Sequence, residues 1–164
     1  MPFYTMPSES DLSCIACRGL ADNYANELAA QLNKDVSELN DRLVKACLIA
    51  SLENNVYTQV FYDNLCIPRA VFGMSQSGYI TYVETKDLTP ILRAKWARSV
   101  KGLPEMLSNV FNVNPWCYSD ARNGKAARLL EWFHLKQYPS RDIIVNGYTF
   151  NYWQYVPVAE RKTA

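Results

Sequence analysis

The strongest structural constraint in this sequence is a twelve-residue segment, residues 123–134, with the pattern of an amphipathic helix. Its apolar residues recur at positions i, i+3, i+4 and i+7 and form one stripe, while its charged residues point away from that stripe. Sequence that is typical of strands lies on both sides of it. The segment therefore predicts a helix laid with one face on a β-sheet. The apolar stripe consists of Ala126, Leu129, Leu130 and Phe133.

The first half of the chain divides into a helical part and a strand part. Residues 3–5 predict a short strand, after which two helices are expected, the first capped by Ser8 or Ser10 and interrupted at Gly19. From residue 57 onward, β-branched and aromatic residues replace the helical spacing. Turn residues separate three such segments, which predicts a meander of three antiparallel strands. These segments are residues 57–62, 65–74 and 78–83.

The next segment begins with a helix signal. Thr89 followed by Pro90 is typical of a helix cap and first turn, and Pro104 is expected to split that helix in two. The basic residues of the helix are expected on a solvated face, with a contact site for an acidic partner or for the ribose phosphate of a cofactor as the alternative. These residues are Arg93, Lys95, Arg98 and Lys101.

The last part of the chain predicts a strand, the amphipathic helix and a hairpin. Residues 116–119 predict the strand, and Asn146 followed by Gly147 predicts a type I′ turn, because both central residues of that turn need positive φ. The order of elements predicts an α+β fold, a mixed sheet with flanking helices in a single domain. We expect this domain to cover residues 1–158 and a flexible tail to follow at 159–164.

Composition excludes several classes of function. The 17 basic and 16 acidic residues give a net charge of +1, so no general attraction to nucleic acid or to an anionic membrane is expected. No apolar run is long enough for a bilayer span, and the first residues lack the pattern of a secretory signal. Five scattered cysteines and the single His134 predict neither a disulfide framework nor a metal site. These features favour a cytosolic protein.

The late helix resembles that of the GNAT (GCN5-related N-acetyltransferase) superfamily. The helix of that superfamily often opens with Asn, carries Ala three residues later and closes with Gly-Phe; Asn123 and Ala126 match, whereas His134 and Leu135 replace the last pair. The order of elements is also that of the GNAT fold. A more specific likeness is to GNAT-like proteins of short-tailed bacteriophages. The residues that carry it are Pro68, Ala70, Phe72, Gly73, Thr85, Trp116 and Asn123.

The resemblance implies acetyl-coenzyme A as the cofactor and places its site after the third meander strand. In the superfamily a glycine-containing loop exposes backbone N–H groups to the cofactor diphosphate. Residues 85–90 take that place here, contain no glycine and carry Asp87. The resemblance implies Lys86, Thr89 and Asn123 as the cofactor-binding residues. The altered loop predicts that acetyl-coenzyme A binds weakly or not at all.

The resemblance also implies a proton donor and a proton acceptor. Many relatives have a Tyr seven residues after the helix-opening Asn, and Leu130 stands at that position here, so this general acid is missing. Glu84 is the candidate catalytic base for an incoming amine. Its alternative is an ordinary solvated carboxylate at a strand end.

Two functions remain open at this point. The first is a phage accessory protein with reduced or absent acetyltransferase activity, which binds a phage or host protein during virion assembly or host takeover. The second is an active acetyl-coenzyme A-dependent N-acetyltransferase that acts on a protein or small-molecule amine. The loop and Leu130 favour the first. The expected location is the host cytoplasm, with the virion as the alternative.

Overall fold

The computed structural model describes residues 6–161, which form one α+β domain. Helices precede and follow a three-stranded meander, and a second group of strands completes the chain. The helices are α1 Glu9–Arg18, α2 Asp22–Leu32, α3 Asp41–Leu52, α4 Pro90–Ser99, α5 Leu103–Phe111, α6 Gly124–Trp132 and α7 Val158–Arg161. The strands are β1 Asn55–Tyr62, β2 Pro68–Ser75, β3 Ile80–Glu84, β4 Trp116–Asp120, β5 Leu135–Gln137, β6 Ile143–Val145 and β7 Tyr148–Tyr155.

The helical first part contains three helices within the described residues, where the sequence predicted two. The side chain of Ser8 caps α1 by accepting a hydrogen bond from the backbone of Asp11 at 3.0 Å. Gly19 has a φ of 79°, a conformation that glycine adopts without steric cost, and it ends α1 completely. The expected strand at residues 3–5 lies outside the described residues.

The meander prediction is confirmed. β2 lies between β1 and β3 and pairs antiparallel with both, so that Phe72 stands opposite Gln59 on one side and Tyr82 on the other. The split predicted at Pro104 is also confirmed, because α4 ends at Ser99 and α5 starts at Leu103.

The remaining strands form a second antiparallel sheet around β7. β4 pairs with one edge of β7, whereas β5 and β6 share its other edge. The predicted hairpin turn between β6 and β7 is confirmed, with φ values of 51° at Asn146 and 82° at Gly147. β5 was not predicted, since three residues are too few to show an alternating pattern.

The two sheets meet at one point. A parallel bridge joins Tyr79 to Trp116, and the backbone N–H of Trp116 donates to the carbonyl of Gly78 at 2.9 Å. Beyond this bridge, no further pairing joins β3 to β4 among residues 6–161. The sheet is therefore mixed, as the sequence predicted, and it is split between its middle strands.

Each face of the sheet packs on its own apolar cluster. α1 to α3 cover one face through fully buried side chains such as Leu12, Ile15 and Leu52. α5 and the second sheet cover the other through Leu107 and Trp153. Tyr82 of β3 packs against both clusters.

The end of the described chain is helical at the place where the sequence predicted the start of a flexible tail, residue 159. Val158–Arg161 is a short helix, α7. The guanidinium of Arg161 donates to the hydroxyl of Tyr155 at 2.9 Å and to the carbonyl of Val156 at 2.8 Å, which holds this segment on β7. Residues 162–164 of the predicted tail lie outside the described part. Within residues 6–161, no helix has both the length and the apolar character that a bilayer span requires.

Candidate functional site

β3 and β4 leave backbone groups unpaired where they diverge. In an antiparallel pair, successive residues turn their backbone groups to alternate sides of the strand. Tyr79 and Thr85 bond to β2, so the alternation turns the backbone of Tyr82 toward β4. The same reasoning turns the backbone of Tyr118 toward β3, since the neighbouring positions bond to β7. Two open strand edges therefore face each other.

A cleft extends from this gap toward α4, α5 and α6. Its free volume is about 90 Å³, several times what one water molecule needs. The apolar stripe of α6 lines part of this cleft, so its side chains do more than pack on the sheet. The stripe residues are Ala126, Leu129, Leu130 and Phe133. The apolar lining residues include Phe61, Phe72, Trp96, Val100, Leu130 and Phe133.

A second cleft lies on the side of α2 and α3. Its free volume is about 120 Å³, and it shares Glu27, Tyr82 and Tyr118 with the first cleft. The two clefts therefore meet at the gap between β3 and β4. Glu27 is the acidic residue at this meeting point.

Glu27 is held by three neutral hydrogen-bond donors that all reach the same oxygen. Its Oε1 accepts from the hydroxyl of Ser119 at 2.9 Å, the backbone N–H of Asp120 at 2.7 Å and the side-chain amide of Asn123 at 3.1 Å. None of the described residues donates to its Oε2. Burial raises the pKa of Glu27, although these hydrogen bonds oppose the shift. Glu27 is thus a partly buried acid with one oxygen free.

Asn123 has a structural task in addition to any binding role. Its Oδ1 accepts from the backbone N–H of Ala126 at 3.0 Å, which caps α6, and from the side chain of Asn23 at 3.0 Å. Its Nδ2 donates to Glu27. Both polar atoms of its side chain are therefore used within the protein, and the residue is buried.

Glu84 is buried with only 2% of its surface exposed, so the alternative of a solvated strand-end charge is wrong. The guanidinium of Arg93 donates to both of its oxygens, the shortest contact being 2.6 Å from Nη2 to Oε1. The hydroxyl of Tyr82 donates to Oε2 at 3.1 Å. Arg93 therefore points inward, not to the solvated face expected for it. A base in this position has to act while ion-paired.

Two backbone N–H groups of the loop from β3 to α4 bond to carbonyl oxygens of the protein. The N–H of Lys86 donates to the carbonyl of Gly19 at 3.0 Å, and that of Leu88 donates to the carbonyl of Thr85 at 3.2 Å. At the start of α4, the N–H of Leu92 donates to the hydroxyl of Thr89 at 3.3 Å. These bonds occupy donors that an anion would otherwise use.

The side chains of the three cofactor-binding candidates do not form one cradle. Thr89 caps its own helix, and Asn123 caps α6. Lys86 is exposed, and its side chain lies beside Gly19, within van der Waals reach of a Cβ built at that glycine. Of the three candidates, Lys86 is therefore the one whose side chain remains accessible to an anion.

Asp87 forms ion pairs with two arginines. Its Oδ2 lies 2.7 Å from Nη1 of Arg18 and also pairs with Arg69, which in turn contacts Asp63 at 2.8 Å. The charge of the Asp87 carboxylate is thus largely neutralised. It ties the loop to the end of α1 and to β2.

We expect Asp87 to make stability depend on acidic pH. Burial raises the pKa of its carboxyl, but hydrogen bonds from Arg69 and Arg18 and the charge of Arg69 lower this pKa from 3.8 to about 2. Its contribution to the free energy of unfolding is therefore complete above about pH 4 and is lost as pH falls through 2. Urea unfolding between pH 5 and 2 should show the native chain and Asp87→Asn differing at pH 5 and converging at pH 2. A difference that stays constant over this range would contradict the assignment.

The sequence analysis missed Glu27 as a site residue, although a signal was present. Glu27 lies three residues after Tyr24 and directly before Leu28, so it borders the apolar face of α2. A carboxylate on such a face needs polar partners. Its partners lie more than ninety residues away in the sequence, at Ser119 and Asp120.

Comparison with solved structures identifies the fold. The ribosomal-protein-S5-alanine acetyltransferase from Vibrio fischeri matches with a TM-score of 0.56 at 13% identity, over 95% of this chain and 93% of the other. An acetyltransferase from Agrobacterium tumefaciens matches with a TM-score of 0.57 at 10% identity, over 94% and 97%. The ribosomal L7/L12 alpha-N-protein acetyltransferase, in complex with coenzyme A, matches with 0.56 at 11%, over 96% and 98%.

No protein-family model and no curated protein matches the sequence. The structural likeness, at identities of 13% or less, establishes a GNAT acetyltransferase fold for this chain. It agrees with the resemblance found in the sequence. Within residues 6–161, no group of three metal-ligating side chains comes together.

Proposed function

We propose that this chain is a GNAT-fold protein-binding module in which acetyltransferase activity is reduced or absent. Its partner is a phage or host protein, and its role lies in virion assembly or host takeover in the host cytoplasm. The sequence resemblance supports the phage setting. The loop between β3 and α4 supports the reduced or absent activity.

The internally bonded loop between β3 and α4 is the observation that carries this proposal. The backbone N–H groups of Lys86 and Leu88 already have carbonyl partners, and that of Leu92 has the hydroxyl of Thr89. A diphosphate bound through these three N–H groups would have to replace the bonds that they already make. This replacement opposes cofactor binding.

We expect acetyl-coenzyme A to leave the melting temperature unchanged at about 1 mM, the upper end of typical Michaelis constants. A ligand at one hundred times its Kd stabilises a folded protein by about 2.7 kcal/mol, which is readily visible in a thermal scan. Isothermal titration calorimetry provides the second readout. A saturable heat of binding together with a rise in melting temperature would overturn the proposal.

Glu27 favours a second candidate, an active N-acetyltransferase on a protein or small-molecule amine. This acid lies where the two clefts meet, its pKa is raised by burial and its Oε2 is free of hydrogen bonds from the described residues. Such a group can accept a proton from an amine. Release of coenzyme A thiol in the presence of amine peptides, and its loss in Glu27→Gln, would bring this candidate forward.

A further inference from the structure

Two cysteines lie three residues apart on the outer face of α1. Cys14 is half-buried and Cys17 is exposed, whereas the buried residues of the helix, Leu12, Ile15 and Ala16, lie on its other side. Residues three apart on a helix are neighbours, with about 5–6 Å between their Cβ atoms. The two thiols therefore lie beside one another at the surface and are not part of the core.

The last turn of α1 is tightened next to this pair. The backbone N–H of Gly19 donates to the carbonyl of Ala16 at 3.1 Å, a bond over three residues of the kind that a 3₁₀-helix makes. In a 3₁₀ turn, side chains three residues apart eclipse one another, which brings their Cβ atoms closer together. A disulfide needs Cβ atoms about 3.5–4.5 Å apart. A local tightening at the end of α1 therefore brings Cys14 and Cys17 within bonding distance.

A guanidinium lies beside the half-buried thiol. The side chain of Cys14, one turn before Arg18, raises the pKa of the Arg18 guanidinium by hydrogen bonding, and Asp87 adds to the same shift. A nearby cation favours a thiolate, which is the form of cysteine that attacks a disulfide. The surroundings of the pair are therefore suited to thiol–disulfide exchange.

The same end of α1 is bonded to the loop between β3 and α4. Nη1 of Arg18 lies 2.7 Å from Oδ2 of Asp87, and the carbonyl of Gly19 accepts from the N–H of Lys86 at 3.0 Å. Both contacts come from residues that directly follow Cys17. A change in the last turn of α1 therefore reaches this loop.

We propose that Cys14 and Cys17 form a reversible dithiol site that reacts with low-molecular-weight disulfides such as glutathione disulfide, and that oxidation loosens the loop between β3 and α4. The site goes beyond the binding-module function and does not depend on it. In a reducing cytoplasm the pair is a dithiol, and its disulfide is transient.

The exchange takes place in two steps. The thiolate of exposed Cys17 attacks one sulfur of glutathione disulfide, and the first glutathione leaves as a thiolate. The thiolate of Cys14 then attacks the Cys17 sulfur of this mixed disulfide and displaces the second glutathione. Two electrons pass from the protein to glutathione disulfide, and the two thiol protons end on the two glutathione thiolates. Excess glutathione reverses both steps.

Mapping of the cysteines after reaction with glutathione disulfide tests the site. The folded chain is incubated with an excess of glutathione disulfide and quenched with acid, its remaining thiols are blocked, and it is digested with trypsin. Residues 1–18 form one tryptic peptide, which contains Cys14 and Cys17 and none of the other three cysteines. We expect this peptide to lose two hydrogen atoms and to carry neither glutathione nor the blocking group. Excess reduced glutathione should restore both thiols.

Single variants separate the roles of the two sulfurs. Cys14→Ser should retain glutathione on Cys17, because the displacing thiol is gone. Cys17→Ser should lose most of the reactivity of this peptide, because Cys14 is half-buried. Cys66→Ser is the control, since Cys66 is exposed but lies on the turn between β1 and β2, and it should leave the reaction of residues 1–18 unchanged. Circular dichroism verifies that each variant is folded.

Amide hydrogen exchange tests the link to the loop. We expect the N–H of Lys86 to exchange faster in the oxidised chain than in the reduced chain, because its acceptor at Gly19 follows the strained turn. The amide of Phe150, in the second sheet, should exchange equally in both forms.

Failure of this inference differs from failure of the proposed function. Glutathione retained on Cys17 of the native chain, or free thiols at both Cys14 and Cys17, would overturn the dithiol site. Equal exchange of Lys86 in the oxidised and reduced chains would overturn the link to the loop. Each of these results leaves the test of acetyl-coenzyme A binding as it stands.

Discussion

Replacing Arg93 by alanine is expected to lower the free energy of unfolding by about 3 kcal/mol. The side chain of Glu84 is only 3% exposed, and Arg93 is its charged partner. Removing Arg93 leaves a carboxylate in the protein interior with the hydroxyl of Tyr82 as its remaining donor among the described side chains. The expected cost lies near the lower end of the range for broken buried ion pairs. The reason is that a third of the Arg93 side chain is exposed, so water can replace part of its contact with Glu84.

The matched control for this substitution is Arg98→Ala on the same helix. Arg98 is exposed and donates to the carbonyl of Ala94 within its own helix, so its removal should cost less than about 0.5 kcal/mol. Denaturant unfolding measures both. Equal losses of unfolding free energy in the two variants would mean that Arg93 lies on the solvated face that the sequence predicted for it. They would also mean that the ion pair with Arg93 does not stabilise buried Glu84.

Replacing Phe150 by alanine is expected to cost about 4 kcal/mol, the usual size for an emptied aromatic core position. Phe150 is 1% exposed and is the third residue of β7. Its neighbours across the strand are Asp120 on one side and Ile143 on the other, so it sits where the second sheet is complete on both edges. A cavity at this point cannot be closed by moving an edge strand alone.

Thr149 is the control for Phe150, because it precedes Phe150 on the same strand and is exposed. Thr149→Ala should change the free energy of unfolding by less than about 1 kcal/mol. Guanidinium unfolding followed by tryptophan fluorescence measures both variants. A Phe150 variant as stable as the control would show that Phe150 is not part of the core.

Sequence signals that act over a few residues predicted the elements of this fold. Pro104 divides α4 from α5 because proline lacks the donor that a continuous helix needs, and Asn146-Gly147 makes the tight turn because both residues accept positive φ. The three helices of the first part were predicted as two, since Gly19 in a helical pattern is compatible with either a kink or an end. In the structure Gly19, with a φ of 79°, is an end.

The candidate site was predicted less well, because its contacts are long-range. Asn123 was found through a helix-opening motif, and it does cap α6. Glu27 gave no motif, as it is defined by partners on β4 and at the start of α6. The inward turn of Arg93 follows from a carboxylate buried at the end of β3, and burial of that carboxylate depends on how the helices cover the sheet.

Backbone-resolved NMR of the loop from β3 to α4 tests the central claim most directly. The claim is that the N–H groups of Lys86, Leu88 and Leu92 are bonded within the protein and do not serve a cofactor. We predict that these three amides exchange slowly with solvent. We also predict that their chemical shifts stay unchanged when coenzyme A is titrated to about 1 mM, the upper end of typical Michaelis constants. Fast exchange in the free protein, with saturable shifts and new protection on addition of coenzyme A, would contradict the account.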